Sequence, residues 1–149
     1  MKTKLALIVA MLLAVGTLMG AVVLAGHKGG ENHKLVLHLN RTDKGSVNMT
    51  INNAKNVTKY SGVGNVDIEI VAYGPGIEIL KKDSKVADRL RGLHALGNIR
   101  FGVCKNTMNR MKLTEADQLQ DSFVREGIVP SGVVRLIELQ EQGWRYIKP

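Results

Sequence analysis

Cys104 is the one cysteine of a 149-residue chain. It ends a short apolar run, Ile99-Arg100-Phe101-Gly102-Val103. Lys105-Asn106-Thr107-Met108 follows at once and opens a helix-like segment reaching Leu113. A sulfur at the join between a strand end and a helix start meets the free N–H groups of the first turn, which favour thiolate over thiol. The amides of Asn106 and Thr107, with the charge of Lys105, are expected to hold such an anion, and Arg100 adds to the field. The thiolate is the nucleophilic form of the side chain. A lone cysteine also serves as a small buried apolar residue, so position alone leaves a nucleophile and a core residue both open. One cysteine excludes an internal disulfide, and in an oxidising compartment a single thiol is buried, paired between chains or reactive.

A second feature is the turn Tyr73-Gly74-Pro75-Gly76. Two glycines around a proline let the backbone approach a ligand or another chain closely. No Gly-Lys-Ser/Thr follows, so it is not a phosphate loop. The four histidines, His27, His33, His38 and His94, are scattered with no tight pair. A metal site built from His33, His38, His94 and Cys104 is therefore not expected, and His38 reads as a structural residue near a strand end. No Ser-His-Asp arrangement, paired-carboxylate signature or dinucleotide-binding glycine motif stands out, and no cofactor is expected.

The elements that must position these residues alternate along the chain. Lys34 to Leu39 is densely apolar and reads as a strand. Asp43 or Ser46 caps a helix over about 44–60, with Val47, Ile51, Ala54 and Val57 at helical spacing. Val66 to Ala72 is the second strand, and Ile77 to Leu80 a single helical turn. Asp83-Ser84 is expected to cap a helix through about Ala95, with Val86, Leu90, Leu93 and His94 inward. Ile99 to Val103 is the third strand. Thr114-Glu115-Ala116-Asp117 carries a helix-start signal. Phe123 to Pro130 reads as a fourth, extended segment. Val133 to Gln142 reads as the last helix, with Val133, Leu136, Ile137 and Gln140 on one face, and 144–149 as a closing strand. Strand and helix in alternation predict one α/β domain with a mainly parallel sheet. Ligands bind such sheets beyond the carboxyl ends of the strands. That edge gathers Asn40 to Asp43, Tyr73 to Gly76, Cys104 to Thr107 and Pro130-Ser131.

The N-terminus reads as a targeting segment. Lys2 and Lys4 precede an apolar stretch over residues 5–25, with small residues near Ala25 where a signal peptidase would cut. The expected division is a signal peptide at 1–25, a Gly- and His-containing linker at 26–33 and the domain at 34–149. The stretch is also long enough to remain as a membrane anchor, which is the alternative. In a bacterial host either outcome places the domain in the periplasm. Loss of Lys2 and Lys4 lowers the formal charge from +8 to +6. The remaining cations are spread out, with no basic run and no interleaved aromatics, so no nucleic acid is expected as a partner. Apolar residues make up 44% and aromatics only 4%, a small-aliphatic composition suited to a parallel sheet covered by helices.

Three stretches together resemble the DsrE/DsrF-like family: 71–76 with the Gly-Pro-Gly turn, 101–108 with Cys104-Lys105-Asn106-Thr107-Met108, and 128–140 with Gly143-Trp144 and Tyr146-Ile147-Lys148-Pro149. The resemblance implies a single-domain, mainly parallel five-stranded sheet with helices on both faces, assembled as a trimer or hexamer. It also implies sulfur carried as a persulfide on the residue matching Cys104, and exchange with a sulfur donor or acceptor protein. Where many relatives carry His, this chain has Tyr73. The expected function is therefore a periplasmic sulfur carrier or sulfurtransferase-like protein. Cys104 would be the reacting residue, and Tyr73, Gly74, Gly76, Lys105, Asn106 and Thr107 would surround the bound anion. The alternative is a non-catalytic oligomeric module that binds a small ligand or a protein, with a structural Cys104.

Overall fold

The computed structural model describes residues 32–149. The expected leader and nearly all of the expected linker lie outside the described residues. Five strands form one sheet: β1 (His33–Leu39), β2 (Val66–Ala72), β3 (Ile99–Cys104), β4 (Ile128–Val129) and β5 (Arg145–Ile147). Their order is β4-β3-β2-β1-β5, and every pairing is parallel. The expected α/β fold is thus the observed one. The first strand begins at His33, one residue earlier than expected, because its amide pairs with the Asn65 carbonyl at 3.0 Å.

Successive side chains of a strand face opposite sides, and the central strands are buried on both. On one side Leu35, Leu37, Ile68, Ile70, Ile99 and Phe101 form the main core. It is covered by α1 (Lys44–Ser61) through Val47, Ile51 and Ala54, and by α2 (Ala87–His94) through Leu90 and Leu93. On the other side Val36 and Val71 meet Leu136, Leu139 and Trp144. Leu136 and Leu139 belong to α5 (Gly132–Glu141). Topology explains this division. Crossovers between parallel strands are right-handed. The chain steps in one direction from β1 to β4 and then returns past β1 to β5, so the last crossover falls on the opposite face.

Several elements differ from the sequence reading. The helix expected from Asp83-Ser84 begins only at Ala87, and its His94 is exposed, held by Phe123 at 4.8 Å between ring centroids and by the Ile99 carbonyl at 2.8 Å. The helical segment after Cys104 is the short α3 (Lys105–Arg110). Phe123 does not open a strand. It lies in the single turn α4 (Ser122–Arg125), and only Ile128 and Val129 pair with β3. A short apolar run carries too little periodicity to separate the two cases. The buried face of α5 is Gly132, Leu136 and Leu139, whereas Val133, Ile137 and Gln140 face outward. The expected opening turn at Thr114 is present as a 3-10 turn over Glu115–Asp117, closed by a reciprocal capping box. Among the described residues no helix is long and apolar enough to cross a membrane.

Candidate functional site

Cys104 is the last residue of β3 and the N-cap of α3. It is 4% exposed and not disulfide-bonded. The alternation of β3 puts Arg100, Gly102 and Cys104 on the α5 side. The Arg100 guanidinium lies 5.2 Å from the Trp144 ring centre there. The sulfur accepts from the Thr107 amide at 3.4 Å. The Thr107 hydroxyl and the amides of Gly132 and Asn106 lie near enough to lower the pKa of the thiol as well. The Thr107 hydroxyl oxygen accepts in turn from the Gly74 amide at 3.0 Å. The Gly-Pro-Gly turn is thereby tied to the cysteine through one side chain.

These contacts set the charge state. Burial pushes the Cys104 thiol up, the largest single influence. The hydroxyl of Thr107 and the amides of Gly132, Thr107 and Asn106 act together in the other direction and leave it below the ordinary thiol value. The shift toward thiolate thus comes from the fixed dipoles of the hydroxyl and the amides.

The expected surroundings separate into two groups. Thr107 donates to the sulfur and Gly74 is tied to it through the Thr107 hydroxyl, while Tyr73 stands beside them, its phenol pushed up by burial, then by Tyr146 and by Cys104. Lys105 is exposed, and among the described residues its side chain forms no hydrogen bond or ion pair. Gly76 serves packing. The 3-10 turn Gly74–Leu80 crosses the end of β1 so closely that a Cβ on Gly76 would overlap the Leu39 carbonyl. Pro130-Ser131 reaches the same edge, since the Asn106 amide donates to the Pro130 carbonyl at 3.2 Å.

Residues not anticipated complete the site. Gly132, the first residue of α5, adds an amide from a second helix start, and its Cα packs on the Tyr73 ring. His38, read from sequence as structural, is 6% exposed and stacks on Tyr73 with 4.8 Å between ring centroids. Its Nδ1 lies 2.6 Å from the Tyr146 hydroxyl, and its buried Nε2 has no partner among the described residues. Burial, and then Lys148, hold its pKa below the usual value. Their sequence signal was parity: Val36 and His38 alternate with the core residues of β1, which puts His38 on the α5 face. A cleft of about 530 Å³ lined by Val47, Ile79, Val86 and Arg89 opens between α1 and α2, on the face away from Cys104. Among the described residues no three His, Cys, Asp or Glu side chains gather as a metal site.

The fold has solved counterparts. The protein of unknown function MTH1491 from Methanobacterium thermoautotrophicum is 30% identical over 78% of this chain and 99% of its own, with a TM-score of 0.69. The conserved protein of unknown function BT1422 from Bacteroides thetaiotaomicron shares the fold at 18% identity and a TM-score of 0.60, over 80% of this chain and 97% of its own. No curated protein matches the chain. Residues 34–149 match the DsrE/DsrF-like family. With a parallel five-stranded sheet and the cysteine at the carboxyl end of its third strand, the chain belongs to the DsrE/DsrF-like family.

Proposed function

We propose that this protein is an exported sulfur carrier that holds sulfane sulfur as a persulfide on Cys104. The observation that carries the reading is the buried sulfur at a helix start, held by the Thr107 amide at 3.4 Å, with nearby amides and the Thr107 hydroxyl lowering its pKa. Thiolate is what sulfur transfer needs. The Cys104 thiolate attacks the outer sulfur of a donor persulfide. A new S–S bond forms at Cys104, the donor S–S bond breaks, and its electron pair leaves as the donor thiolate. Attack by an acceptor thiolate on the outer sulfur reverses the arrangement and regenerates the Cys104 thiolate. No oxidant is consumed, and no second cysteine of this chain is needed. The donor and acceptor are thiol-bearing proteins or small thiols of the same compartment, which the leader expected at residues 1–25 makes the periplasm.

The experiment is intact-protein mass spectrometry after incubation with a low-molecular-weight persulfide. A gain of about 32 Da, one sulfur atom, on the wild type and none on Cys104→Ser is the expected result. No adduct under conditions that load a known carrier overturns the reading.

The near-complete burial of Cys104 favours a second reading, a non-catalytic binding module in which the residue is structural. A thiol titrating near the free value of about 8.5, with assembly unchanged in Cys104→Ser, would select it. In both readings the chain assembles with copies of itself, as a trimer or hexamer. In support, Val133, Val134 and Ile137 on α5 and Tyr146 and Ile147 on β5 are large apolar residues left exposed in the single chain.

A further inference from the structure

We infer that Glu69 is a positioning residue for Cys104: through a forked bridge to Arg135 it holds the first turn of α5 against the sulfur. The inference rests on the activated thiol proposed above. Glu69 lies in the middle of β2 on the α5 face, its side chain 3% exposed. One carboxylate oxygen accepts from Arg135 Nε at 2.7 Å and the other from Arg135 Nη2 at 2.8 Å. Arg100 Nε stands 3.3 Å from the second oxygen. A planar guanidinium that meets a carboxylate with two parallel bonds fixes orientation as well as separation.

Arg135 closes the first turn of α5, its amide bonding the Ser131 carbonyl at 2.9 Å. The fork therefore sets the height and rotation of the turn that carries Gly132. Two close packings leave that turn little other freedom. A Cβ on Gly132 would stand 2.9 Å from the Tyr73 ring, and a Cβ on Gly102, one pleat before Cys104, would stand 3.0 Å from a Glu69 oxygen. Glu69 thus reaches the sulfur by two routes, under its own carboxylate through Gly102 and through Arg135 to the Gly132 amide. Leu136 and Leu139 hold the body of α5 on Val36 and Val71.

A buried carboxylate near a thiolate can act in two ways of opposite sign. As a bare charge it disfavours the second anion, so neutralising it would promote ionisation of Cys104. As a positioning group it keeps an amide on the sulfur, so its loss hinders ionisation. The readout is the midpoint of the pH profile for alkylation of Cys104 by iodoacetamide. It is measured on the full chain for wild type, Glu69→Gln and Arg135→Lys, with circular dichroism as the folding control. The midpoint, unlike the absolute rate, does not follow changes in access. Both variants are expected to move it upward, with about threefold or more less thiolate at a fixed pH below it. Arg135→Lys keeps the charge and loses the fork, so electrostatics alone would leave it unmoved. A midpoint unchanged or lowered in Glu69→Gln overturns the inference. Should that variant fail to fold, Arg135→Lys decides alone: a raised midpoint supports the role and an unmoved one overturns it. A wild-type midpoint near 8.5 defeats the activated thiol and this inference together. A low wild-type midpoint that neither variant moves defeats only the role of Glu69.

Discussion

Thr107 does more for the site than any residue except the cysteine it serves. Its amide and hydroxyl both reach the sulfur, and its oxygen holds the Gly74 amide at 3.0 Å. Thr107→Val keeps the shape and removes the hydroxyl. The Gly74 N–H then loses its acceptor and the thiolate one donor. We expect a higher Cys104 midpoint in alkylation against pH, and a loss of roughly 1–3 kcal/mol in denaturant unfolding for the stranded amide. His38 makes a separate prediction. Its pKa is depressed in the fold by burial and by Lys148, so the unfolded chain binds the proton more readily. Its contribution to stability is complete above the unfolded value of about 6.5 and is lost as pH falls below that toward the depressed folded value. Thermal melting between pH 7 and pH 5 should therefore show a steeper fall for wild type than for His38→Gln. Parallel curves would remove the assignment. Cys104, Asn106 and Thr107 were legible in the sequence because a strand end and a helix start are adjacent in the chain. Gly132, Glu69 and Arg135 were not, because they meet Cys104 only once α5 has been laid on the sheet.

At the scale of elements, the short 3-10 turn after β2 is set by contact with β1. Gly76 packs on the Leu39 carbonyl with no room for a side chain. Gly76→Ala must push the turn away from the strand end, at a cost of about 1–3 kcal/mol for an overpacked site. Through Gly74 and Thr107 it should also disturb the thiol. Chemical denaturation and the alkylation midpoint should change together, and a stable variant with an unaltered midpoint would show that the turn does not support the site. The α1 helix depends on its cap instead. Asp43 accepts from the Ser46 amide at 3.0 Å and hydroxyl at 2.9 Å, which hold its carboxyl at about 2. Its folded pKa is lowered, so the cap acts fully above the unfolded value of about 3.9 and fails as pH drops through about 2. Asp43→Ala should lower the melting temperature at pH 7 and make little difference at pH 2. Strands β2 and β3 and helix α1 were readable because each carries many residues of one period. The fourth strand and the outward face of α5 were not. Ile128-Val129 is too short to carry a period. Val133 and Ile137 share a helical stripe with Leu136, and only the direction of approach to the sheet selects which edge of that stripe is buried.

Among the described residues, the reversal of direction after β4 leaves α5 alone over one sheet face, while α1 to α4 pack into the core on the other. That asymmetry was not in the alternation of strands and helices, which fixes the class of fold and not the order of its strands. It leaves Val133, Val134, Ile137, Tyr146 and Ile147 exposed beside the site. If copies of the chain meet there, Ile137→Glu will shift the mass found by light scattering toward the single chain without lowering the unfolding midpoint. An unchanged mass would place the interface elsewhere.

The central claim is that Cys104 receives a sulfur atom and gives it up. The direct measurement is discharge of the loaded protein. The wild type is treated with a persulfide donor, freed of it, and mixed with a small acceptor thiol while intact mass is followed. The account predicts that the added mass of about 32 Da sits on Cys104, is absent from Cys104→Ser, and disappears as the acceptor gains one sulfur per chain. An adduct that forms equally on Cys104→Ser, or one that stays on Cys104 in the presence of the acceptor, would contradict it.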